Sequence, residues 1–298
     1  MRPRAALPAL FAGAVLIGLA PIFVRLVDVG LTAAGFWRVA LAAPLLCLLW
    51  RRSDPQAPWL PPGWPLLALA GLCFAGDLAL WHQSVARTSV ANATLMANLA
   101  PVFVAGLGYL LFRERLSRGF WAGMVLALLG AATLMGQSLR IDPETLVGDL
   151  LGIGAAVFYA GYLMSVARAR SRRSVLEVMA WTSGVTALAL LPLTLALGEP
   201  LWPQSARGWA VLAGLALLSH VAGQGLIAYA MAGLPAVLSA VGLLVQPLAA
   251  ALFAWWLLQE PFGPQQALGG AVILAGIVQC RLAGLRRPRP AVPAPIPQ

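Results

Sequence analysis

One stretch of this chain occurs twice, and the duplication restricts the fold more than any other feature. Near Ala97 the chain reads ANLAPVFVAGLGYLLFRERLSRGFWAGMVLALLGAA, and near Gly242 it reads GLLVQPLAAALFAWWLLQEPFGPQQALGGAVILAGI. At an offset of 146 positions, with no gap, Pro101 falls on Pro247, Glu114 on Glu260, Gly123 on Gly269 and Gly130 on Gly276. The same offset places Leu66 on Leu212, Leu80 on Leu226 and Ala86 on Ala232. The matched positions punctuate backbone and charge, so chance likeness of two apolar runs is a poor explanation. An internal duplication decides the architecture first.

The residues between these anchors are too apolar for water. Some 60% of the 298 residues are hydrophobic and 10% charged, against roughly a quarter charged in a soluble domain. The apolar residues fall in ten blocks, roughly 7–27, 31–50, 65–86, 89–112, 119–137, 148–167, 175–197, 208–230, 234–258 and 264–284. Each is long enough to cross a hydrocarbon core of about 30 Å as a helix. The chain therefore reads as an all-α membrane protein of ten transmembrane helices, with one five-helix repeat in 1–139 and a second in 146–285. The ending RRPRPAVPAPIPQ, 286–298, cannot build a core and reads as a disordered tail. The start, MRPRAALPALFAGAVLIGLA, has the composition of a secretory signal. Its apolar run continues through Pro21, Ile22 and Phe23 into a second block, so it reads as the first span.

The net charge of +10 comes from arginine alone, and most arginines flank the apolar blocks. That distribution does not suggest a nucleic-acid partner. With the N-terminus in the cytoplasm, 15 arginines fall on the cytoplasmic side and four (Arg25, Arg87, Arg140, Arg207) on the far side, with Arg38 inside a span. The split satisfies the positive-inside rule and makes both termini cytoplasmic, as for a multi-pass protein of the inner membrane. An odd number of spans per repeat then inverts one half relative to the other, leaving Glu114 near the cytoplasm and Glu260 near the outside. Inverted repeats are a recurring plan of secondary transporters. Trp50, Trp59, Trp64, Trp121, Trp202 and Trp209 fall at span ends, where an amphipathic ring prefers the headgroup level; Trp37, Trp81 and Trp181 do not follow that belt. Cys47, Cys73 and Cys280 lie inside apolar blocks without paired spacing and read as small packing residues.

Ten spans in two sets of five, an arginine early in the second span (Arg38 in GFWRVALAAP), and a proline followed 13 residues later by glutamate in spans four and nine resemble the drug/metabolite transporter superfamily, EamA type. The resemblance covers residues 5–285. It implies transport, commonly efflux, of small metabolites such as amino acids through a central cavity between the repeats. Fold carries over better than substrate, so it does not name the solute.

Several polar residues lie where apolar ones are expected. Asp77, in LCFAGDLALWHQS, is near the middle of span three. An ionised carboxylate at that depth is costly and usually faces a cavity or a partner. It reads as a proton carrier or a ligand for a substrate ammonium, or as a protonated acid bonded between helices. Trp81 and Ser84 follow at helical spacing on the same face, placing an aromatic wall beside the carboxylate or, for Trp81, against lipid. His82 lies round the helix from Asp77 and reads as interfacial. In span four Asn98 precedes Pro101 by three residues, and Gln246 with Pro247 holds the mirrored place in span nine. The prolines read as bending points and the two amides as cavity ligands or as interhelical glue. His220 and Gln224 in span eight, and Tyr159 with Tyr162 in span six, read as cavity lining or as packing. Gly223, not an acid, is the repeat counterpart of Asp77. Arg38 reads as snorkelling outward to bind helix-end carbonyls or Asp28, with substrate binding as the alternative. Glu114 and Glu260 read as gating or structural residues that cap the next helix or pair with basic neighbours.

The chain shows no HExxH, no aspartate-rich metal or phosphate motif, no glycine-rich phosphate loop and no nucleophile–base set. It is therefore not expected to be an enzyme, and no metal or cofactor is expected. Its loops are too short for an ATPase. The expected function is export of small metabolites, amino acids or related amphipathic solutes, by alternating access with protons as a coupling partner. An importer or a passive facilitator is the alternative reading. Small-residue faces would permit a homodimer and would serve internal packing equally well.

Overall fold

A computed structural model describes residues 5–136 and 145–285. The loop containing Arg140 and the tail 286–298 lie outside the described residues, as do the expectations attached to them. Among the described residues, ten helices are long and apolar enough to cross a membrane: Ala6–Leu26, Leu31–Ser53, Trp64–Val85, Ala91–Phe112, Arg118–Met135, Leu146–Arg170, Val175–Ala196, Ala206–Ala230, Ala236–Leu258 and Pro264–Gly284. They are called spans one to ten below. Serine side chains start four of them, where Ser89, Ser117, Ser174 and Ser205 accept from the backbone N–H three residues on and satisfy a donor the helix leaves free.

The sequence dictates where spans are broken. Span four is two helices, Val90–Ala97 and Ala100–Phe112, separated at Asn98 and Leu99. Span nine is Ala236–Gly242 and Val245–Leu258. In each case the proline, Pro101 or Pro247, sits at the start of the second helix, where its missing N–H costs nothing. Span one is also broken, into Ala6–Ile17 and Ala20–Leu26 around Pro21. Span eight widens into a π-helix over Leu215–Gln224, a form found mostly as local turns and frequently at functional sites.

The helix pairings come in sets that exchanging the two halves leaves unchanged. Span three packs on six as eight packs on one, four on six as nine on one, and three on seven as eight on two. Spans five and ten, and spans two and seven, pair with their own counterparts. Ten successive crossings, five per half, leave the halves upside down relative to each other.

The tightest pairing, between spans five and ten, is made by four glycines. A Cβ added to Gly130 would lie 2.5 Å from the backbone nitrogen of Ile273, and one on Gly276 would lie 2.5 Å from that of Ala127. Gly123 faces the Gly276 carbonyl and Gly269 the Gly130 carbonyl, each 2.8 Å from the added atom. Two backbones meet there without side chains between them, as close packing in a membrane requires.

The ends of spans four and nine are also copies. Arg113 has φ 55° and Gln259 φ 57°, the left-handed conformation that commonly ends a helix. The following residues, Glu114 and Glu260, donate their N–H to the carbonyls of Gly108 and Ala254 at 3.2 Å. The Glu260 carboxylate pairs with Arg25 at the end of span one.

Candidate functional site: a charged cavity between the halves

Seven spans line a cavity of about 140 Å³. Spans five, seven and ten contribute nothing to its lining. Span three contributes Phe74, Asp77, Leu78, Trp81 and His82, positions i, i+3, i+4, i+7 and i+8 of one helical face. Span two adds Gly35 and Arg38; spans four and nine add Asn98, Gln246 and Pro247 from beside their breaks; spans six and eight add Tyr159 and Gln224. Ile17, Pro21, Val24 and Leu215 supply apolar wall. The lining residues lie toward the end of the bundle that carries the connections after Leu26, Val85 and Ala196. On the opposite side Arg170 donates from Nε to the Ala228 carbonyl at 2.9 Å, tying span six to span eight.

Asp77, Trp81, Asn98, Tyr159, Gln224 and Gln246 all line this cavity. Gln224 also donates to the Tyr162 hydroxyl at 3.1 Å, and the Tyr159 and Tyr162 rings stack at 5.9 Å. Pro247 lines the cavity; Pro101 is buried beside it in span four.

Four readings are corrected. Arg38 does not snorkel: it is 8% exposed, lines the cavity, and holds its guanidinium carbon 5.6 Å from the centre of the Phe74 ring. Nor does it meet Asp28, whose carboxylate accepts from the Gln204 N–H and the Ser205 hydroxyl. His82 is not interfacial but buried against Gly35 in the cavity wall. At about 100° per residue the centre of the cavity face lies between Phe74 and Leu78, so Asp77 and His82 are its two edges. Ser84, on the nominal face of Asp77, has passed that edge and donates to the Gly148 carbonyl of span six at 2.7 Å. His220 does not line the cavity. The π-helix changes which residues of span eight share a face, so His220 bonds the Ser183 hydroxyl at 2.8 Å while Gln224 reaches the cavity.

Two aromatic readings also change. Trp50, in the last turn of its span, is 2% exposed and packs on Trp59, so its ring is covered by protein. Trp37 donates from its indole nitrogen to the Leu201 carbonyl at 2.7 Å and packs with Trp202 and Trp209, which accounts for its place outside the belt. Beside this cluster Glu199 accepts from the N–H groups of Thr32 and Ala33, capping span two.

The polar groups of the cavity are only partly satisfied by one another. The ion pairs among the described residues are Arg25–Glu260 and Arg173–Glu177. Arg38 and Asp77 therefore lie more than 4 Å apart. Buried side-chain nitrogens without a partner among the described residues are Arg38 Nε, His82 Nδ1, Asn98 Nδ2, Gln246 Nε2 and His220 Nδ1; all but the last belong to cavity-lining residues. Buried polar atoms of this kind demand a reason, and a polar solute in the cavity supplies one.

The site is also where the two halves stop being copies. The repeat counterparts of Arg38, Asp77 and Tyr159 are Gly184, Gly223 and Gly13. Gly13 and Gly223 pack backbone to backbone between spans one and eight. At the equivalent places in spans six and three stand Tyr159 and Asp77, and both line the cavity.

A membrane bundle of paired five-helix halves around a shared cavity, lined by apolar side chains and a few charged and polar ones, has the plan of a solute transporter. Residues 4–136 and 146–280 each match the EamA-like transporter family, and the chain belongs to that family. It is 28% identical over 218 residues to an uncharacterized transporter of Bacillus subtilis, covering 72% of each chain. It is 24% identical over 184 residues to the pseudopaline exporter of Pseudomonas aeruginosa, covering 62% of this chain and 63% of that one. It is 28% identical over 229 residues to a probable terminal-alkyne amino-acid exporter of Streptantibioticus cattleyicolor, covering 75% of each. A solved crystal structure superposes with a TM-score of 0.82 at 19% identity, over 95% of this chain and 99% of the other, and so shares the fold.

Proposed function

We propose that this protein exports small metabolites, amino acids or related amphipathic solutes, across the cytoplasmic membrane by alternating access. The observation that carries the reading is the cavity: both halves line it, it lies among the broken spans, and it holds a guanidinium and a carboxyl group not paired with each other. The named exporters among the relatives support the direction. The arginine distribution supports cytoplasmic termini, an orientation in which this cavity faces outward. Exchanging the conformations of the halves about Pro101 and Pro247 would open the other side. Asp77 is the proton carrier of the cycle.

The test is the metabolite profile of the medium around cells overproducing the protein, against an empty vector and a Pro101/Pro247 double variant. One or a few solutes accumulating outside only with the intact chain is the expected result. Depletion of a solute from the medium would replace export with import. Flux that never exceeds the solute's own gradient in proteoliposomes would make the protein a passive facilitator.

A further inference from the structure

We propose that the cavity recognises a zwitterion: the guanidinium of Arg38 binds the carboxylate of an apolar α-amino acid, and the carboxylate of Asp77 binds its ammonium. The inference rests on the transport reading and names the substrate class of that same site.

Both charged groups line one cavity without forming an ion pair. Arg38 is buried, backed by the Phe74 ring, and its Nε has no protein partner. A guanidinium stays charged and offers a fork of donors that fits a carboxylate. The unpartnered amide nitrogen of Asn98 is a further donor from the same wall. Against this group of donors Asp77 is the single carboxylate in the lining. A solute with one charge would satisfy one group and strand the other in a low dielectric, which is costly. A zwitterion meets both and brings no net charge into the membrane. Ile17, Leu78, Trp81 and Leu215 leave an apolar wall for a hydrophobic side chain.

The asymmetry of the repeats gives the site a direction. Glycine holds the places of Arg38 and Asp77 in the other copy, so the two charges occur once each and not twice. The ligand is thus held by two unlike ends, in one orientation.

The test uses the full chain purified in detergent, with thermal stabilisation read across concentrations of L-leucine, L-phenylalanine and L-tryptophan. Phenylalanine is then compared with 2-phenylethylamine, which lacks the carboxylate, and 3-phenylpropionate, which lacks the ammonium. At least one amino acid binds, and for phenylalanine each half-analogue binds at least tenfold more weakly. Arg38→Gln removes the advantage of phenylalanine over phenylethylamine, whereas Asp77→Asn removes its advantage over phenylpropionate. A general folding defect would weaken all three compounds alike and could not produce this crossed pattern. A half-analogue that binds the unaltered protein as well as phenylalanine overturns the proposal, and so does binding of none of the amino acids. Counterflow in proteoliposomes separates the two readings. Zwitterions that bind but are never exchanged would leave the recognition standing and end the transport reading. Exchange of a solute with one charge would do the reverse.

Discussion

Phe74 and His220 hold the same place in the two halves of the chain, and they stack on each other with ring centroids 5.6 Å apart. A residue meets its own copy only on the axis that relates the halves, so this stack marks the axis at the floor of the cavity. One ring serves the site, lying beneath the guanidinium of Arg38. The other is fixed from behind by Ser183.

Ser183→Ala should therefore cost stability and spare recognition. It leaves a buried imidazole nitrogen without its bond, a loss of about 1–3 kcal/mol. Unfolding of the purified variant checks the first part. Solute affinity within about twofold of the parent checks the second, since His220 does not line the cavity.

At the crossing of spans five and ten the neighbours of the glycines are backbone atoms, which cannot move aside. Gly130→Ala and Gly276→Ala are each expected to cost about 2 kcal/mol, and Gly130→Leu to prevent recovery of folded protein. Gly106→Ala is the control: its added methyl meets nothing within 4 Å, and its unfolding midpoint should not fall.

The left-handed residues at the ends of spans four and nine carry strain of about 1 kcal/mol each that glycine would not. Gln259→Gly and Arg113→Gly should raise the unfolding midpoint. Gln259→Val, with a branched side chain in the same conformation, should lower it.

Asp77→Asn tests the coupling role. Proteoliposomes holding this variant should exchange solute when its concentration is raised to saturation, but no longer accelerate under an imposed pH gradient. A gradient response equal to that of the parent would remove Asp77 from proton transfer.

Orientation is checked by labelling single cysteines in a background without Cys47, Cys73 and Cys280. Arg207→Cys, on an exposed position beside the cavity end, should react with an impermeant maleimide on intact cells. Arg172→Cys, exposed at the other end, should react only after permeabilisation. The opposite pattern would reverse the topology and the direction in which the cavity faces.

The spans and the breaks at Pro101 and Pro247 were legible because hydropathy and proline act locally. The glycine crossing was half legible: the offset matched the four glycines, but not which of them touch. Arg38 and His82 were misjudged because depth along a helix says nothing about which neighbour faces it. The π-helix that separates His220 from Gln224 has no local signature among ordinary helix formers. The repeat itself carries a further signal. At the repeat offset Arg38, Asp77 and Tyr159 all fall on glycine, and a duplication that departs from itself at polar, mid-depth positions outlines the site.

The four-glycine crossing has a consequence for how such a duplicated gene can drift. Elsewhere each copy can change against its own surroundings, as the two versions of the Asp77 position have done. At Gly123, Gly130, Gly269 and Gly276 each half is the other's surroundings, backbone against backbone. A mutation in one copy must there be absorbed by the other, so this seam should hold the halves recognisable as twins after the rest has diverged.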